Sequence, residues 1–156
     1  MKIGITGHQD LPSNAARFFE DNLISLLEDT EVDAGISCLA KGADQLFSRV
    51  LLDAGQLLQV VVPCQHYERT FDDRIALQSY RELLFRASDV EYLPYSEPSE
   101  NAFLAAGYRI VDRADLLLAL WDGLPAKGVG GTGDIVQYAR AQAKHVLVLW
   151  PRGVSR

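Results

Sequence analysis

Met1-Lys2-Ile3-Gly4-Ile5-Thr6-Gly7-His8 opens the chain as an apolar run that passes directly into Thr-Gly-His. The run reads as a strand over Met1–Thr6, and the glycine at its end permits a sharp turn and close approach of backbone to a ligand. An amphipathic stretch from about Pro12 to Glu28 follows, with Ala16, Phe19, Leu23, Leu26 and Leu27 on one stripe. A helix after such a turn presents unpaired N–H groups and the positive end of its dipole. Strand, glycine turn and helix form the front edge of a nucleotide site; they are equally the ordinary turn of any parallel α/β unit.

The same alternation repeats outward from that unit. Val32–Leu39 reads as a second strand leading into Ala40-Lys41-Gly42-Ala43-Asp44. Ala43, Leu46, Phe47, Val50, Leu51 and Ala54 then keep helical spacing until Gly55. Leu57–Val62 is a third strand, apolar except for Gln59, as expected of a strand covered on both faces. Phe71 to Arg86 is broadly helical, and Val90–Leu93 is a short strand. Ser96-Glu97-Pro98-Ser99-Glu100 is a helix-start signal for a helix reaching about Arg113. Leu116–Trp121 is the fifth strand and His145–Trp150 the last, with a glycine loop and a helix to about Gln142 between them. The expected fold is α/β: a three-layer, Rossmann-like domain over residues 1–156, with an open, mostly parallel sheet.

Composition narrows the function classes. The 156 residues are 48% apolar and 23% charged, with a formal net charge of −6. An acidic chain without a basic cluster argues against binding a nucleic acid polymer, which depends on neutralising phosphates. A mononucleotide needs only a few N–H groups. No apolar run approaches the roughly 18 residues of a membrane span, and the first strand has no signal-peptide pattern. Two cysteines, Cys38 and Cys64, make neither a disulfide framework nor a metal set. The expectation is a cytoplasmic protein with no membrane partner.

In open α/β sheets the ligand sits beyond the carboxyl ends of the strands, where strand order reverses. Thr6–His8, Lys41–Asp44, Pro63–Glu68, Asp122–Gly123 and Gly128–Asp134 all follow strands and therefore gather on one rim. Gly128-Val129-Gly130-Gly131-Thr132-Gly133 packs four glycines ahead of a helix, so that successive amides can surround a phosphate and Thr132 can add its hydroxyl. The loop lacks the Lys-[Ser/Thr] of a P-loop, and Thr6-Gly7-His8 lacks dinucleotide-fingerprint spacing. No cofactor and no metal are expected.

Taken together, Gly4-Ile5-Thr6-Gly7-His8, Lys41-Gly42-Ala43-Asp44, Val111-Asp112-Arg113-Ala114-Asp115 leading into Leu116–Gly123, and Gly130-Gly131-Thr132 resemble the SLOG superfamily. That Rossmann-like group includes YpsA-type proteins, the LOG nucleotide phosphoribohydrolases (the so-called lysine decarboxylase-like family) and the DNA-processing protein DprA. The resemblance covers nearly the whole chain and is strongest to the YpsA-like branch. It implies a nucleotide or nucleotide-derived ligand at the same rim. LOG hydrolases share an arginine ahead of the fifth strand and a glutamate after their Gly-Thr; the counterparts here fall on Ala106 and Ile135. Neither side chain can hold a phosphate or move a proton, so the resemblance implies binding ahead of N-glycosidic hydrolysis of a nucleoside monophosphate, with a protein-interaction role as a third reading.

Individual candidates carry two readings each. His8 is either a phosphate contact or base, or a turn histidine. Lys41 is a cation beside Gly42 on the rim. Asp44 either accepts from a ribose or is a helix-start acid held by the dipole. Ser99 and Glu100 either receive a sugar hydroxyl or cap their helix. Trp121 offers a stacking face beside Asp122, and His66 and Tyr67 sit where they can close over a ligand. Glu100 and Asp134 are the catalytic candidates for the hydrolase alternative. Ala102, Phe103, Ala105, Ala106, Ile110 and Val111 give the fourth helix more apolar surface than one sheet face requires, which points to a homodimer.

Overall fold

A computed structural model of the protein describes residues 1–125 and 131–156. Its strands are β1 (Lys2–Gly7), β2 (Ala34–Ser37), β3 (Leu58–Val62), β4 (Asp89–Tyr92), β5 (Leu116–Leu120) and β6 (His145–Val148). Its helices are α1 (Ser13–Asp29), α2 (Ala43–Asp53), α3 (Arg74–Arg86), α4 (Glu100–Arg113) and α5 (Thr132–Ala141). The strands form one sheet in the order β4-β3-β2-β1-β5-β6, and every pairing is parallel. This is the open Rossmann-like architecture that the alternating pattern predicts.

Two expected boundaries move for local reasons. The second strand stops at Ser37 because Leu39 adopts φ 59° and its N–H bonds the Ser37 Oγ at 3.0 Å, which turns the chain out of the sheet. The helix expected from Phe71 begins at Arg74, where the Asp73 carboxylate accepts from the Ile75 N–H at 2.9 Å as an N-cap. Ahead of it, Tyr67–Thr70 forms a single 3-10 turn.

Helices divide between the two faces as right-handed crossovers demand. The chain runs outward from β1 to β4 with α1, α2 and α3 on one face. There Phe19, Leu23, Phe47, Leu51, Tyr80 and Leu83 pack on Ile3, Ile5 and Val60. It then returns through α4 to β5 and continues through α5 to β6 on the other face. There Ala106, Ile110, Val111, Ile135 and Ala139 cover Ile36, Val61 and Leu117. The direction of travel reverses between β1 and β5, so the loops leaving those neighbours diverge and open a crevice at their carboxyl ends.

Small residues set the distance between layers. A Cβ on Gly4 would meet Ile110 Cγ2 at 2.6 Å and Ala114 Cβ at 3.2 Å, so α4 lies almost directly on β1. A Cβ on Gly107 would meet Ile135 Cδ1 at 2.3 Å, which brings α5 equally close to α4. The apolar width of α4 is thereby used inside the chain: Ala102, Ala106, Ile110 and Val111 are all buried, and Phe103 packs against the core of the opposite face. Ala105, the remaining apolar residue behind the homodimer expectation, is half-buried. Among the described residues, no helix is long and apolar enough to cross a membrane.

Gly4→Val should force α4 off β1, with a loss of about 1–3 kcal/mol typical of overpacking. A urea midpoint equal to that of the wild type would show that α4 is not seated as closely as described.

Candidate functional site

A cleft of ≈ 440 Å³ lies over the carboxyl ends of the strands at the β1–β5 reversal. Thr6, Gly7 and His8 form one wall, leaving β1. Gly131, Thr132 and Gly133, at the start of α5, form another, and Phe103, Gly107 and Ile110 of α4 supply an apolar side. Asp44, Tyr67, Glu100, Trp121 and Arg156 complete the polar and aromatic lining.

The predicted site residues separate into groups. Thr6, Gly7, His8, Asp44, Glu100, Trp121, Gly131 and Thr132 line this cleft together. Gly130, with the first part of the glycine loop, lies outside the described residues. Lys41 borders a small adjoining pocket instead, within 3.7 Å of Asp10 and 3.9 Å of Asp73. Gly42 is the N-cap of α2 at φ 86°, where a Cβ would fall 2.3 Å from the Gln9 carbonyl oxygen. Its role is local packing of the β1 exit against α2. Ser99 caps α4 by accepting from the Ala102 N–H at 3.1 Å. Asp134 sits in the first turn of α5 and does not line the cleft. Neither does the first turn of α1, so the helix starts that face the cavity are those of α2, α4 and α5.

His8 organises the floor. Its ring is buried, with Nε2 3.2 Å from Asp122 Oδ1 and Nδ1 3.1 Å from Arg156 Nη1. A guanidinium can only donate, so Nδ1 accepts and the proton sits on Nε2, where it reaches the Asp122 carboxylate. The Asp122 N–H also points at Nε2, at 3.3 Å, which would require the opposite tautomer. The charged contacts on both nitrogens favour Nε2–H. Trp150 meets the imidazole edge-on at 5.5 Å. Asp122 lies beneath the site rather than on its lining, with a side chain only 6% exposed. Burial would raise its carboxyl, but the Leu124 N–H, His8 and Arg156 together hold it below the ordinary carboxylate range.

Asp44 behaves oppositely. Burial pushes its carboxyl up to about 7, although backbone hydrogen bonds from Ala40 and Cys38 work the other way. The Ala40 N–H contact is 3.2 Å. The expectation of a helix-start acid stabilised in its charged form gives way to desolvation, because Asp44 is buried in a first turn of α2 that packs against the β1 exit. Among the described residues no group of His, Cys, Asp and Glu side chains could hold a metal ion.

Sequence reasoning missed two features. Arg156 stands alone near the end of the sequence with no motif around it, and only the folded turn, with Trp150 Nε1 donating to the Val154 carbonyl at 2.9 Å, brings it to His8. Cys38 and Ala40 reach the cleft because β2 ends early. Of the two exit-loop residues, Tyr67 lines the cleft and is buried among Phe71, Tyr80 and Phe103, whereas His66 does not line it and lies 3.9 Å from Glu97.

Fold and site define a parallel, doubly wound α/β domain with a cleft at its topological reversal. No family model and no curated protein matches the chain. Solved structures do. DprA from Streptococcus pneumoniae superposes with a TM-score of 0.70 at 18% identity, covering 94% of this chain and 49% of its own. DprA from Helicobacter pylori, described with its single-stranded DNA binding mode, gives 0.74 at 17%, covering 98% and 66%. The molybdenum cofactor binding protein of Rippkaea orientalis gives 0.58 at 17%, covering 94% and 74%. The chain shares the fold of the DprA and molybdenum-cofactor-carrier group at a distant level, and it spans about half of the pneumococcal protein and 66% of the Helicobacter one.

Asp44 makes a testable pH statement. The folded chain holds a proton that the unfolded chain releases near pH 3.8. The resulting stability is present below that pH and is lost as pH rises to about 7. Asp44→Asn keeps an oxygen for the Ala40 N–H and removes the titration. Relative to wild type its stability should therefore improve between pH 5 and 8, by ~2–4 kcal/mol at most. Urea midpoints at the two pH values measure this, and a gap independent of pH would contradict it.

Proposed function

We propose that this chain binds a small nucleotide or nucleotide-derived molecule in the rim cleft, as a sensor or carrier rather than a catalyst. The observation that supports it most is the meeting of the Gly7 turn and the Gly131–Gly133 start of α5 in one cleft at the strand-order reversal. Amides at a helix start attract phosphate, and Trp121 and Phe103 offer apolar surface for a base. Placement in the YpsA-like branch of the SLOG superfamily is part of this proposal and rests on the sequence motifs. Similar folds named for binding molybdenum cofactor or single-stranded DNA are compatible with it. A homodimer is part of the same proposal and rests on the apolar residues of α4 in the sequence.

Asp44 favours a second reading, cleavage of an N-glycosidic bond. A carboxyl that stays partly protonated near neutral pH can give a proton to a leaving base, and Glu100 lies on the same lining to accept from a water or sugar hydroxyl. Ala106 and Ile135 are buried and apolar, so neither supplies a charge to the transition state.

Native mass spectrometry of the purified protein, with thermal shifts against nucleoside mono-, di- and triphosphates, tests binding. A retained nucleotide or a clear stabilisation is expected; no retained molecule and no shift with any of them would overturn the reading. Incubation with AMP, GMP, CMP and UMP should release no free base above the blank. Turnover lost in Asp44→Asn or Glu100→Gln would establish the hydrolase instead.

A further inference from the structure

Arg156 is the single lysine or arginine among the described residues that line the cleft, where its charged companions are Asp44 and Glu100. On a chain of net charge −6, an anion entering this space meets carboxyl groups on two sides. The guanidinium is the group that reverses that sign locally.

Its present contacts leave it ready for another partner. Nη1 donates to His8 Nδ1 at 3.1 Å, and Nε lies 3.1 Å from Asp122 Oδ2. That second contact is an ion pair without hydrogen-bond geometry, since Oδ2 is buried and has no hydrogen-bond partner. The planar fork is therefore not closed bidentately on a carboxylate. Among the described residues Nη2 meets no acceptor. The side chain is 25% exposed against 6% for Asp122, so the cation faces the opening and its counter-ion lies behind it. Asp122 and His8 anchor the arginine, which shares the cleft lining with Gly131 and Thr132.

Resting on the nucleotide reading above, we infer that Arg156 is the phosphate-recognition residue of this cleft, contacting a ligand phosphate monoester with its guanidinium while Asp122 and His8 hold it in place. A guanidinium suits this role because it is always charged and matches phosphate geometry with two parallel donors. The inference also accounts for a buried carboxylate beneath a site that takes an anion: Asp122 serves the arginine and not the ligand.

Isothermal titration with the four nucleoside monophosphates and the four matching nucleosides tests it on the full chain. Arg156→Gln should weaken the bound monophosphate by about tenfold or more while changing its nucleoside by less than about twofold. Arg156→Lys, which keeps the charge without the fork, should recover part of the loss. Circular dichroism at the same temperature confirms that each variant is folded. An Arg156→Gln protein that binds the monophosphate as tightly as wild type, or that loses nucleoside and monophosphate equally, overturns the inference alone. A wild-type protein that binds no member of any pair overturns this inference, and one that also shows no shift with any di- or triphosphate overturns the nucleotide reading with it.

Discussion

A Cβ on Gly7 would lie 2.4 Å from the Cβ of Ala43 and 2.9 Å from the Leu120 carbonyl oxygen. That crowding is the constraint around which the molecule is built. It seats the first turn of α2 against the end of β1, and the end of β1 against the end of β5. The His8 carbonyl accepts from the Ala43 N–H at 3.0 Å, and the His8 N–H donates to the Leu120 carbonyl at 3.2 Å. The exit of β1 is thus stitched to both neighbours before it turns away. Gly7 lines the cleft, but its missing side chain is required first by protein packing and only then by any ligand.

The position of the cleft follows from this closure. With β1 held between β2 and β5 in parallel register, the connections on either side must leave on opposite faces, and the space between them cannot be filled by either helix layer. Gly4 and Gly107 bring α4 and α5 inward on one face, so Ile110, Gly107 and Ile135 form an apolar side of the cleft. The polar groups then come from the strand exits, where backbone amides need partners and side chains need water or a ligand.

Two acids in this small region illustrate how burial and partnership compete. Asp122 has a carboxylate that is enclosed and yet held in its charged form, because a guanidinium, an imidazole and an amide face it. Asp44 has backbone hydrogen bonds but, among the described residues, no cation against it, and desolvation prevails. Both follow strand ends and both read as equivalent rim acids along the chain. Their chemistry diverges through what the fold places across from each of them.

Periodicity and punctuation in the sequence determined the elements, their parallel arrangement and the rim on which polar loops gather. These rest on spacing within a few residues: apolar strands, helical stripes at i, i+3 and i+4, and glycines at strand exits. The tertiary structure alone decided which loop residues meet. It set Lys41 and Ser99 apart from the cleft, sank Asp122 beneath it, used the apolar face of α4 inside the chain, and carried Arg156 across 148 positions to His8. Such contacts depend on distances between layers and on the dielectric that burial creates. Neither is a property of any local stretch of sequence, since both arise only when segments far apart in the chain exclude water together.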